Sequence, residues 1–72
     1  MVQAGEIYRH FKGGMYGVLA VAKHHDSKED WVVYKDLYTN EIYVRPVNNF
    51  ESNTLSDQKR FVLVDKVNIK FG

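Results

Sequence analysis

The 72-residue chain has room for one small domain, residues 1–72, and its 44% hydrophobic content suits a globular core rather than a disordered tail. It has no cysteine, which excludes disulfide frameworks, thiolate metal sites and cysteine nucleophiles. Ten Lys and Arg against nine Asp and Glu give a net charge of +1, too little for a strong overall field toward nucleic acid or an anionic membrane.

Val, Ile, Thr, Tyr, Phe and Trp number 25, while Ala, Leu and Met number 9, and no long stretch holds a 3.6-residue apolar period. The chain therefore reads as mainly β. Gly5 to Lys12 is a first strand. Gly13-Gly14 follows as a two-residue turn, where positive φ carries no steric penalty. Met15 to His24 returns as a second strand, and His25 to Glu29 is a polar loop. Asp30 to Tyr38 is a third strand. Thr39-Asn40 turns it into a fourth, Glu41 to Arg45, which Pro46 ends. Val47 to Phe50 suits one helical turn, and Glu51 to Lys59 is the longest loop. Arg60 to Phe71 is a fifth strand, bent near Asp65-Lys66, with Val67, Ile69 and Phe71 alternating against Asn68 and Lys70. Five short strands joined by tight turns predict a small closed or partly closed antiparallel barrel.

Arg9, His10 and Lys12 followed by the apolar run Met15 to Ala22 imitate a signal peptide. The run is short and starts late, and cleavage would leave about 50 residues without disulfides, so secretion is set aside. No run reaches the roughly 18 apolar residues of a membrane span. The expected compartment is the cytoplasm.

A two-residue turn at Thr39-Asn40 pairs Leu37 with Ile42, Asp36 with Tyr43 and Tyr34 with Arg45. One face then carries Val33, Leu37, Ile42 and Val44, with Trp31 at its end, and is expected to be the core. The other carries Tyr34, Asp36, Tyr38, Glu41, Tyr43 and Arg45, and is expected to be an exposed tyrosine surface. At Gly13-Gly14 the same treatment puts Phe11 and Tyr16 on one face, with Gly17 opposite His10 on the other.

Residues with chemical potential are few. His24 and His25 are strand neighbours that point apart, so with Asp26 they suit a solvated turn better than a metal site. Ser27 beside them lacks an oriented base and an oxyanion hole. Glu29 and Asp30 are adjacent carboxylates without the cleft that acid–base work needs. Gly13-Gly14 lacks the strand–loop–helix setting of a phosphate loop. No metal site, cofactor or catalytic residue is expected. Two clusters remain. Tyr34, Tyr38, Tyr43 and Arg45, flanked by Arg9 and Lys12, form the candidate binding platform, since Tyr and Arg favour binding hot spots. Tyr8, His10 and Phe50 belong to a second cluster with either a functional or a structural role.

Tyr-Arg-His-Phe-Lys-Gly at Tyr8 to Gly13, Val32-Val33-Tyr34, Leu37-Tyr38, Val44-Arg45-Pro46 and Phe50 occur in an order that resembles a family of short, mainly bacterial proteins, domain of unknown function 1653. Arg60-Phe61 resembles the family's closing Arg-Phe. His25 and Asp26 depart from its usual serine and glutamate, and the tail from Val62 runs past its usual end. The resemblance implies an SH3-like β-barrel and transfers no activity.

Three readings follow. The first is a non-catalytic binding module, monomeric or weakly dimeric, that takes a protein or peptide partner on its aromatic sheet face. The second is a small barrel for single-stranded nucleic acid. The third is an enzyme or regulatory subunit using Arg9, His10 and Lys12.

Overall fold

The computed structural model describes residues 1–67. Its elements are β1 (Glu6–His10), β2 (Met15–Lys23), β3 (Asp30–Asp36), β4 (Ile42–Pro46), a single helical turn α1 (Val47–Phe50) and β5 (Phe61–Lys66). The strands form one antiparallel sheet in the order β4-β3-β2-β1-β5. This is the mainly β, five-stranded architecture with one short helix that the alternation and turn residues predict. The expected extension of the fifth strand over residues 68–71 lies outside the described residues.

The sheet is strongly curled. With strands spaced about 4.8 Å apart, a flat sheet would put β3 and β5 about 14 Å apart. Yet the rings of Tyr34 on β3 and Phe61 on β5 have centroids 5.7 Å apart. The pairing register shifts between Val18 and Ala20 in β2 and between Ile7 and Tyr8 in β1, irregularities that let strands bend. The linear strand order leaves β4 and β5 as edges, so closure comes from side chains rather than backbone pairing. Phe50 of α1 stacks on Phe61 of β5 at 4.0 Å and nearly parallel. Tyr8 and Tyr34 meet Phe50 edge-on at 5.0 and 5.4 Å. Val2, Val18, Val32 and Val47 complete the buried core.

One carboxylate is buried with them. Glu6 accepts hydrogen bonds from the Gln3 N–H at 2.7 Å and the Tyr8 hydroxyl at 2.8 Å, and Lys66 Nζ lies 3.8 Å away. Those partners offset its desolvation and hold the N-terminal turn over the core.

Both turn expectations need correction. Asp36, not a two-residue turn, organises the β3–β4 link. Its Oδ1 accepts from the Tyr38 and Thr39 N–H groups, its carbonyl accepts from Asn40, and Asn40 takes φ 65°. The resulting five-residue loop pairs Tyr34 with Tyr43 and Val33 with Val44, two residues from the expected register. An even shift keeps each residue's companions but says nothing about which face is inside. The inside is the tyrosine face. Tyr34 and Val32 are buried, while Ile42 and Val44 are 60% and 59% exposed and Leu37 is exposed at the β3 end. The expected core of Val33, Leu37, Ile42 and Val44 is thus the sheet's outer face, because α1 and β5 fold over the other side.

The β1–β2 link is longer than expected too. His10 donates its N–H to the Gly14 carbonyl, and Gly13 and Gly14 both have positive φ, so residues 11–14 form the loop. Tyr8 therefore pairs with Tyr16 and Ile7 with Gly17. This odd shift moves Tyr16 from Phe11's face to that of Tyr8 and His10.

Candidate functional site

The inner face of β1–β4 is not wholly covered. Where α1 and β5 leave it open, His10, Tyr16, Tyr34, Tyr43, Arg45 and Phe61 line a recess of about 240 Å³. Alternation places these residues together: His10 and Tyr16 come from the first two strands, and Tyr34, Tyr43 and Arg45 from the next two. Phe61, the first residue of β5, pairs with His10 and forms the floor. Tyr34 lies between Tyr16 at 5.6 Å and Tyr43 at 5.8 Å.

Arg45 is fixed at the rim. Its Nε donates to the Tyr34 hydroxyl at 3.2 Å and its terminal nitrogen to Asn49 Oδ1 at 2.6 Å, and its guanidinium carbon lies 5.5 Å from the Phe61 ring centre. His10 sits against Phe61, with ring centroids 4.8 Å apart, and its Nδ1 accepts the Lys12 N–H at 3.1 Å. That bond leaves the neutral ring's proton on Nε2. Burial, then the charges of Arg45, Arg60 and Lys12, push the His10 pKa below the ordinary histidine value. Burial and Asp36 raise the Tyr16 hydroxyl, and partial burial with Glu41 and Asp36 raises that of Tyr43. At neutral pH the recess therefore presents neutral phenols and a neutral imidazole beside a permanent cation.

A second recess of about 450 Å³ meets the first at His10. Arg9, Phe11, Gly13, Gln58, Lys59 and Val62 line the rest of it. Two cations lie over the Phe11 ring, with Lys12 Nζ 5.6 Å and Arg60 Cζ 5.9 Å from its centre. No carboxylate lines either recess. Among the described residues, none of Arg9, Lys12, Arg45, Lys59 and Arg60 forms an ion pair.

The structure divides the sequence candidates. Tyr34, Tyr43, Arg45 and His10 come together in the first recess. Tyr38 does not join them: it is 77% exposed in the β3–β4 loop, where Asp36 holds its backbone. Arg9 and Lys12 lie toward the second recess. Tyr8 and Phe50 are core residues, Tyr8 with its hydroxyl on Glu6. Burial and the nearby Glu6 push that hydroxyl well above the usual tyrosine range. Sequence reasoning missed Phe61, Lys59 and Arg60 as contributors. They are brought in by β5, whose pairing with β1 spans about 50 residues of chain. The only signal was Arg60-Phe61 itself.

The histidine turn is structural. His24 Nδ1 accepts the Ser27 N–H at 3.3 Å, and the His24 ring stacks on Trp31 at 5.2 Å. Among the described residues no three His, Asp or Glu side chains gather at metal-binding distance. No helix among them is long and apolar enough to cross a membrane.

The family model described as "Protein of unknown function (DUF1653)" matches residues 6–63. Among solved structures, the crystal structure of a DUF1653 protein from Bordetella bronchiseptica is similar, with a TM-score of 0.75 and 28% identity over 97% of this chain and 95% of that one. No curated protein matches the chain.

Proposed function

The chain belongs to the DUF1653 family, and we propose that it works as a small, SH3-like, non-catalytic binding module of the cytoplasm, with the recess around Tyr34 as its ligand site. The carrying observation is the joining of an exposed aromatic wall to a fixed guanidinium. Tyr43 is 41% exposed beside Arg45, whose geometry two hydrogen bonds and the Phe61 ring hold. Such a recess suits a ligand with one flat or apolar group and one anionic group. The Tyr16 and Tyr43 hydroxyls are pushed up and the His10 imidazole down, so the recess favours neutral aromatic groups beside Arg45.

Amide shift mapping against a panel of peptides and oligonucleotides tests the reading. The expected result is shifts at His10, Tyr16, Tyr43 and Arg45, with Ala20 and Ala22 on the other face of β2 unmoved. Shifts confined to the outer face, or none with any panel member, would reject it.

A further inference from the structure

We propose that the two recesses form one groove for a single strand of nucleic acid, a ligand class that rests on the binding-site reading above. Charge is the first support. The whole chain is nearly neutral, yet Arg9, Lys12, Arg45, Lys59 and Arg60 gather around the two recesses and hold half of its ten basic residues. The remaining chain carries five basic residues against nine acidic ones. Positive charge is therefore concentrated around the two recesses, which favours the approach of a polyanion there. None of these cations is paired with a carboxylate among the described residues, so each is available to a phosphate.

Aromatic spacing is the second support. Tyr43 and Phe11 are 41% and 37% exposed at the two ends, and the recesses meet between them at His10. Alternation of rings with unpaired cations fits a polymer that repeats a flat base and a charged phosphate. Arg60 and Lys12 lie over the Phe11 ring, which places positive charge where a base stacked at Phe11 would bring its phosphate. A peptide with one acidic side chain would use one or two of these cations and leave the rest without a role. His10, neutral with its proton on Nε2, adds a donor at the junction.

The test uses the full chain and a fluorescein-labelled dT12 strand, followed by anisotropy. Three phosphates paired at about −0.7 each in log–log slope predict roughly a twentyfold loss of affinity from 50 to 200 mM salt. Lys12→Glu with Lys59→Glu, both exposed and outside the core, should cost at least tenfold while the melting temperature holds. Tyr43→Ala should weaken dT12 several-fold and leave heparin binding unchanged, which separates stacking from charge. No binding of dT12 would overturn the proposal, as would equal loss of dT12 and heparin in the tyrosine variant. The same samples are mapped with a tyrosine-containing acidic peptide. Peptide shifts at Tyr43 and Arg45 without dT12 shifts would reject nucleic acid and leave the binding module standing. Silence from both would reject both.

Discussion

The two faces of the sheet are both largely apolar, yet one is the core and the other meets solvent. The inner face carries Val18, Val32 and Tyr34 and is roofed by Phe50 and Phe61. The outer face carries Leu37, Ile42 and Val44, all exposed, and a depression of about 160 Å³ beside Ile7, Leu19 and Leu37. By hydrophobicity alone the outer aliphatics are the better core. Two features reverse the order. The roof is supplied by α1 and β5, which arrive only after the β3–β4 hairpin. The tyrosines also satisfy their polar ends inside, with Tyr34 on Arg45 and Tyr8 on Glu6. A pleat sorts residues into two sets, and a distant segment decides which set is buried.

The sharpest test removes the roof. Phe61→Ala takes away the ring that contacts Phe50, Tyr34, Tyr16 and His10. It should cost about 3–5 kcal/mol, a large share of the stability of so small a domain. Val44→Ala, on the exposed face, should cost less than about 1 kcal/mol. Urea denaturation of the two variants checks the contrast, and equal losses would mean that the outer face is buried in solution.

Much of this was legible in the residues, and the failures lie in turn lengths and in contacts distant along the chain. Strand positions followed from alternation, the helical turn from Val47 to Phe50, and the grouping of Tyr34 with Tyr43 and Arg45 from period-two sorting. The expected third strand runs two residues too far, to Tyr38, because the Asp36 carboxylate at its end caps the following loop. At the first hairpin, Gly13-Gly14 pointed correctly to a turn but not to its length, and an odd error there exchanged the faces of Tyr16. The sign of burial was not legible at all. It depends on Phe50 and Phe61, far along the chain, and local patterns hold no information about where those rings land.

Arg45 gives the next contrast, because it braces the inner face and also lines the proposed ligand recess. Arg45→Ala loses the bonds to Tyr34 and Asn49 and the packing on Phe61, and should destabilise by about 2 kcal/mol. Arg45→Lys keeps the charge but not the planar fork, so it should restore only part of the loss. Full recovery by lysine in thermal melts would show that charge alone matters at this rim.

The inner face should also impose a pH dependence that the outer face lacks. His10 has its pKa lowered by burial and by Arg45, Arg60 and Lys12, so the unfolded chain takes up the proton first as pH falls. Its contribution is fully present above the ordinary histidine pKa of about 6.5 and is lost as pH drops through the lower folded value. Urea midpoints at pH 7.5, 6.5 and 5.5 should decline in the parent chain and flatten in His10→Gln. An unchanged slope in the variant would place the titrating group elsewhere.

The smallest effect is expected at Tyr38, which the sequence puts among the leading binding residues. Its ring is 77% exposed, and only its backbone N–H is held, by Asp36. Tyr38→Ala keeps that N–H and removes no buried contact, so stability should change by no more than about 0.5 kcal/mol. Because the ring lies outside the recess, ligand affinity should hold within twofold by titration, while Tyr43→Ala lowers it. A Tyr38→Ala loss as large as that of Tyr43→Ala would extend the binding surface across the β3–β4 loop. The division between the proposed binding rim and a passive turn would then fail at that point.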